Sequence, residues 1–190
     1  MSPESCIGFA HGEAVLVAGM PGRCWRIHQG AVRLTRWVDD SEHFAGLART
    51  GDLIGVEALM GNDSTFSAYA LSELILEPKG ALDSAALLAA LTSSEQRAAE
   101  ALALCRGTAD ERIARLMTLL AKPTASGHAR VQMPSLREMA EITNLTQETI
   151  SRVVSRLRRL GQLVRNSRAQ AEFIPCRGLA TGNPGLSLAA

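Results

Sequence analysis

Between Pro134 and Val164 the chain reads PSLREMAEITNLTQETISRVVSRLRRLGQLV, two short helical patterns separated by Thr143-Asn144-Leu145. Ser135 and Glu138 have the spacing of a capping box, in which the hydroxyl accepts from an early helix N–H and the glutamate reaches back to the serine N–H. A helix therefore starts at Ser135. Asn144 and Thr143 compete for backbone hydrogen bonds and stop it, while Leu145 supplies an apolar plug between the helices. Thr146 caps the second helix. Two helices joined by so short a turn must cross at a steep angle, and this helix-turn-helix is the frame to which the rest of the chain has to fit.

At about 100° per residue, Ile150, Val153, Val154, Leu157 and Leu160 fall in one arc of the second helix. Gln147, Glu148, Ser151, Arg152, Ser155, Arg156, Arg158 and Arg159 fill the other. Any surface helix has a polar face. This one is unusual in composition: from Thr149 to Ala171 there is no Asp or Glu, while Arg152, Arg156, Arg158, Arg159, Arg165 and Arg168 all lie in that interval. A merely solvated face mixes acids with bases, so the pattern points to a polyanionic partner. Gly161 is placed to end the helix in the left-handed conformation. Beyond it, Leu163-Val164 and Phe173-Ile174 flank Asn166-Ser167-Arg168, which predicts a small β-hairpin, the wing of a winged helix.

The string LTQETISRVVSRLRRLGQLV resembles the recognition-helix segment of the CRP/FNR family of bacterial transcription regulators, and Glu148-Thr149-Ile150-Ser151-Arg152 is closest to its FNR branch. The resemblance implies binding to double-stranded DNA by a homodimer, with RNA polymerase as a further partner. Arg152 is suited to pair bidentately with guanine O6 and N7, and Glu148 to accept from cytosine N4. Gln147 and Ser151 are placed for neighbouring bases. Arg156, Arg165, Arg168 and the capped helix starts at Ser135 and Thr146 are expected to hold phosphates.

The net charge of +1 hides a gradient. Residues 1–80 carry 6 Lys/Arg against 10 Asp/Glu, net −4; residues 81–133 carry 6 against 5, net +1; residues 134–190 carry 8 against 4, net +4. Such a chain presents its C-terminal end to a polyanion and keeps an acidic end away. There is no apolar run of membrane-spanning length and no signal-peptide pattern near the start, so the cytoplasm is expected and a membrane is not. Cys6, Cys24, Cys105 and Cys176 are far apart and signal neither a zinc site nor a disulfide framework.

From Ala14 to Glu77, short β-type runs (AVLV, CWRIH, VRLTRWV, HFAGLA, FSAYA, LILE) alternate with glycine-containing turns, the pattern of an antiparallel sandwich or barrel. In VRLTRWV, Val32, Leu34 and Arg36 alternate with Arg33, Thr35 and Trp37. IHQGAVRL followed by TGDLIGVEALMG resembles the jelly-roll sensor domain of the same family. Cyclic-nucleotide binders of that family hold the phosphate with a Gly-Glu pair and an Arg-Ser pair; the matching positions here are Gly55-Val56 and Phe66-Ser67, with Glu57 displaced by one. The arginine needed to neutralise the phosphate is missing, which argues against cyclic AMP. Cys6 and Cys24 cannot supply the four thiolates of an iron–sulfur cluster. Haem stays open, with Cys6, His11, Cys24 and His43 as candidate axial ligands, and the cofactor is left unknown. A jelly-roll metal enzyme is not expected, because His11, His28, His43 and His128 are scattered.

A helical tract begins at Asp83 or Ser84, and Thr92-Ser93-Ser94-Glu95 reads as a second capping box marking a break or a new helix. Ala98, Leu102, Cys105 and Ala109 recur at spacings of four and three, the seam of two helices packed side by side. By resemblance this is the dimerisation helix. Asp110 to Leu116 resembles the first helix after the hinge, and Lys122 to Met133 reads as a loop. The expected class is α+β: an antiparallel β jelly roll at residues 1–80, a connecting dimerisation helix at 81–107, a C-terminal winged helix-turn-helix at 108–175 and a loose tail at 176–190. The expected function is a sequence-specific transcription regulator and not an enzyme. The rival reading is a small-molecule, haem or redox sensing module of the same fold that acts by ligand binding alone.

Overall fold

The computed structural model describes residues 6–123, 129–165 and 170–174. Its first half consists of two four-stranded antiparallel sheets. One has the order β1 (Ile7–Phe9), β8 (Leu74–Lys79), β3 (Cys24–Gln29), β6 (Leu53–Ile54); the other runs β2 (Ala14–Leu16), β7 (Ser67–Ala70), β4 (Ala31–Val38), β5 (Ser41–Arg49). Their inner faces enclose Leu16, Trp25, Ile27, Val32, Leu34, Ile54, Leu74 and Leu76. This is the jelly roll expected from the runs of short strands. β1 and β6 were not legible in those runs, and neither was the 3-10 turn at Val56–Met60, because each is too short to show a period.

The alternation expected of VRLTRWV holds in the register of β4 with β7, which runs without a shift from Val32 opposite Ala70 to Thr35 opposite Ser67. Val32 and Leu34 enter the core of the roll. Thr35 shares the side of Arg33 and is buried there, its hydroxyl donating to Glu42 Oε1 at 2.6 Å, while Arg36, Trp37 and Val38 are exposed. A β-bulge lies on the neighbouring strand: Ala45 of β5 is the extra residue between the partners of Leu34 and Thr35.

Helix α1 (Ser84–Leu104) is unbroken, capped by the Asp83 carboxylate, which accepts from the Ala86 N–H at 2.7 Å. The expected break at Thr92 is absent: the Thr92 hydroxyl donates to the Leu88 carbonyl one turn back, at 3.1 Å, and so lies in the helix interior. The chain turns instead at Gly107 (φ 89°). Thr108 and Glu111 form a full capping box, and α2 (Ala109–Leu120) begins there. Ala109 therefore belongs to the next helix and drops out of the expected seam. The stretch expected to be a loop contains β9 (Ala121–Pro123) and β10 (Ala129–Gln132), paired antiparallel. Val131 and Ala121 face each other across that pair on the buried side, which accounts for the strands forming where glycine and proline suggested a loop.

The second core joins the two halves. Leu47 and Leu71 of the jelly roll pack in one cluster with Leu104 of α1, Ile113, Leu116 and Met117 of α2, and the apolar sides of the last two helices. The backbone at Gly55 has φ 67°, and a Cβ there would sit 2.3 Å from the Arg23 carbonyl oxygen. Both strain and collision oppose any side chain, so Gly55→Ala is expected to lower stability by roughly 1–3 kcal/mol. Chemical denaturation of the variant, giving a midpoint shift with an unchanged slope, checks it.

Candidate nucleic-acid interface

Helix α3 (Leu136–Thr143) opens on the expected capping box. Ser135 Oγ accepts from the Glu138 N–H at 3.2 Å, and Glu138 Oε2 accepts from the Ser135 N–H at 2.7 Å. Asn144 ends it in the left-handed region (φ 50°), where asparagine is tolerated. Leu145 packs against the core. Thr146 caps α4 (Gln147–Arg159), its hydroxyl accepting from the Thr149 N–H at 3.2 Å. Ile150, Val153, Val154 and Leu157 are buried against Met139 and Ile142 of α3 and against α2. Leu160, expected in that arc, is instead the C-cap residue and is exposed, because Gly161 (φ 68°) turns the chain immediately after it.

Gln147, Glu148, Ser151, Arg152, Ser155, Arg156, Arg158 and Arg159 are all exposed. Arg152 is 71% exposed and its only ion-pair partner among the described residues is Glu148, one turn earlier at 3.6 Å. So exposed a pair contributes little and leaves both groups available. Arg156 is committed further. Its Nη2 pairs with Asp110 at the start of α2, a contact the sequence did not reveal because 46 residues separate the two. Ser151, Arg152, Arg156 and Arg159 line one shallow groove together with Thr149. On the other flank of α4, Ser135, Ser151, Ser155 and Arg158 share a second groove with Gln170 of the wing. Gln147 and Glu148 stand outside both grooves at the free tip of α4. The wing is β11 (Leu163–Arg165) against β12 (Gln170–Phe173), with Leu163 opposite Phe173. Arg165 thus lies at the end of an edge strand; Arg168 falls outside the described residues.

Three long-range contacts hold the helix pair from behind. His11 of the jelly roll shares a hydrogen bond with Glu138 Oε1 at 2.8 Å. Arg33 of β4 pairs with Glu141. Arg112 of α2 donates to the Thr143 carbonyl at 3.1 Å, satisfying an acceptor left over at the end of α3. No local sequence signal marks any of the three.

The candidate haem ligands are dispersed. Cys24 is 2% exposed in the jelly roll, and its thiol is pushed up to about 11, first by burial and then by the nearby Glu57 carboxylate, against the pull of Lys79. It is a protonated core thiol at neutral pH. His11 is engaged by Glu138, His43 by Ser41 at 2.7 Å, and Cys6 is exposed. Glu57 and Phe66 line a largely apolar pocket of about 330 Å3 between the jelly roll and α1, with Leu16, Ile54 and Leu91. Glu57 Oε1 is taken by the Thr65 N–H at 2.8 Å. Arg97, distant in sequence, also reaches that pocket.

Two antiparallel sheets feeding one long helix and a capped helix-turn-helix with a wing define the architecture of a transcription regulator. Comparison with known proteins places it more closely. The chain is 31% identical over 165 residues to the transcriptional regulator LdrP of Thermus thermophilus, covering 80% of this chain and 84% of that one. It is 28% identical over 185 residues to SdrP of the same organism, covering 91% of each. A match to the nitrogen fixation regulation protein FixK of Rhizobium meliloti, 32% identical over 143 residues, spans 72% of this chain and 66% of FixK. Among solved structures, a CRP-family regulator from Thermus thermophilus superposes with a TM-score of 0.70 at 25% identity, over 90% of this chain and 92% of that one. A CRP/FNR-family regulator from the same organism superposes at 0.68 and 24% identity, over 92% and 96%. No family model matches the sequence. The chain belongs to the CRP/FNR family of transcriptional regulators.

The capping carboxylates make the helix starts acid-sensitive. Burial works to raise the Glu138 pKa, but hydrogen bonds from Ser135 and His11 outweigh it and hold it below the ordinary value. Glu111 is lowered by the Thr108 backbone and side-chain hydrogen bonds. A depressed native pKa contributes stability above the unfolded value, near ~4.3, that is lost as pH falls through the folded one. Melting temperature followed from pH 7 to about pH 3 is expected to fall less steeply in Glu138→Gln than in the native protein; coincident profiles would count against the capping account.

Proposed function

We propose that the chain binds duplex DNA as a symmetric homodimer and reads a near-palindromic operator by placing α4 of each copy in a major groove. The observation that carries this reading is the exposed, arginine-rich and nearly acid-free face of a helix whose opposite face is locked into the core. Arg152 and Glu148 take a G·C pair, Gln147 and Ser151 touch its neighbours, and Ser135, Thr146, Arg156, Arg165 and Arg168 hold phosphates. Arg156 exchanges Asp110 for phosphate on binding, so its net contribution is smaller than that of an unpaired arginine. Half-sites lie about one turn apart, ~34 Å.

Dimerisation is assigned to α1. Leu88 and Leu102 are 66% and 60% exposed, and Leu88, Leu91, Glu95, Ala98 and Leu102 recur at alternating spacings of three and four, the seam of a two-stranded coiled coil. The working division is a sensor at 1–80, a dimer helix at 81–107 and a DNA-binding unit at 108–175. The protein acts in the cytoplasm as a regulator, with RNA polymerase as its partner, and not as an enzyme. No helix among the described residues is long and apolar enough to cross a membrane.

In a gel shift with a selected operator, Arg152→Ala is expected to weaken binding by ~1–3 kcal/mol and to relax preference at the guanine. Full retention of sequence preference by that variant would remove Arg152 from base reading. Arg165→Ala is expected to weaken all duplexes alike and to flatten the salt dependence by about one unit of slope. For the dimer, Leu102→Glu is expected to shift sedimentation toward the monomer.

A further inference from the structure

The outer face of the C-terminal sheet carries the exposed side chains of Lys122 and Arg130. It forms one wall of an interdomain cleft of about 640 Å3, opposite the turns of the jelly roll and the middle of α1. Lys122, Arg130 and Gln132 stand on the sheet side, and Gln29, Glu73 and Arg97 on the other. This cleft is separate from the apolar pocket that holds Phe66 and from the arginine face of α4, although Arg97 reaches both the cleft and that pocket.

The charges in the cleft are unbalanced in a specific way. Lys122 on β9 is directly opposite Arg130 on β10, and like charges at a cross-strand pair repel. Glu172 faces Arg130 from the other flank, so that row has one carboxylate for two cations. Neither Lys122 nor Arg130 has an ion pair or hydrogen bond among the described residues. The nearby acids are already committed. Both Glu100 oxygens accept from Arg49 Nη2 at 2.9 Å. Asp52 accepts from the Ser93 hydroxyl and the Arg49 N–H at 2.8 Å each. Arg97 Nη1 lies 3.5 Å from that Asp52 carboxylate, and it is a buried donor with no hydrogen bond of its own. Glu73 is the one remaining acid of the lining. Two unspent cations on one wall and an unsatisfied guanidinium donor on another face a cavity of small-ligand size.

We propose that this cleft binds a small multiply charged anion, a phosphorylated metabolite, with one phosphate bridging Lys122 and Arg130 and the body of the ligand lying toward Arg97. Arginine and lysine around phosphate oxygens form short charge-assisted hydrogen bonds, and an anion between Lys122 and Arg130 cancels the repulsion the empty pair carries. Because the ligand touches the sheet of the DNA-binding half and the helix leading from the sensor half, its binding favours the relative placement of the two seen here. The site stands apart from the DNA reading, and either can fail without the other.

The test is calorimetric titration of the full chain with inorganic pyrophosphate at ionic strength held constant with chloride, paired with thermal melting. The native protein and Arg152→Gln/Arg156→Gln are expected to bind pyrophosphate equally. Lys122→Gln/Arg130→Gln is expected to bind about tenfold or more weakly, while melting no lower than the native protein without ligand, since a repulsive pair has been removed. Should that double variant fail to fold, the single Lys122→Gln gives the same reading. Binding that is no stronger than that of chloride, binding lost in the α4 variant instead, or binding weakened equally in both variants would overturn the proposal.

Discussion

The arrangement depends on one apolar contact: Ile150, Val153, Val154 and Leu157 of α4 pressed against Met139 and Ile142 of α3 and Ile113, Leu116 and Met117 of α2. Each fully buried side chain of this kind contributes roughly 1.5–3 kcal/mol relative to exposure. That energy fixes the rotation of α4 about its axis. Once the rotation is fixed, every polar residue of the helix has a determined direction, and the arginines have no choice but to face outward. Turning the helix by about half a revolution would bury Arg152 and expose Ile150.

The same core extends through Leu104 into Leu47 and Leu71 of the jelly roll, so the helix-turn-helix is not a bead on a string. His11 and Arg33, both from the jelly roll, reach Glu138 and Glu141 on α3. The Glu138 carboxylate is used twice, once to start its own helix and once to accept from the other domain. Any rearrangement of the β strands that moves His11 or Arg33 is therefore felt at the start of α3, which supports α4. The physical path from the jelly roll to α4 consists of packed side chains, one hydrogen bond and one ion pair, and these have to change together for the orientation of α4 to change.

How much was legible in the sequence follows from the range of each interaction. Capping boxes act over three residues, so Ser135-Glu138 and the Thr146 cap could be read directly, as could the Gly161 stop. The amphipathic arc of α4 repeats over three turns and was equally plain, except at Leu160, where the helix ended one residue before the pattern did. The strands of the jelly roll were legible as alternating runs, but the bulge at Ala45 of β5 was not, since an inserted residue leaves no mark in composition. Thr92-Glu95 matched a capping box and formed none, because the surrounding alanines and leucines propagate a helix straight through it. The Arg156-Asp110, Arg33-Glu141 and Arg97-Asp52 contacts join residues tens of positions apart. Only the assembled core brings them together, and no local pattern could have announced them.

Entry of the arginine face of α4 into the major groove of duplex DNA can be read at the bases themselves. A dimethyl sulfate interference footprint on a selected operator reads guanine N7, an atom exposed only in that groove. Interference is expected at guanines in two clusters about one helical turn apart on one face of the duplex, with the Arg152→Ala protein losing the effect at one guanine of each cluster. Interference at no guanine, or spread evenly along the duplex, would contradict it.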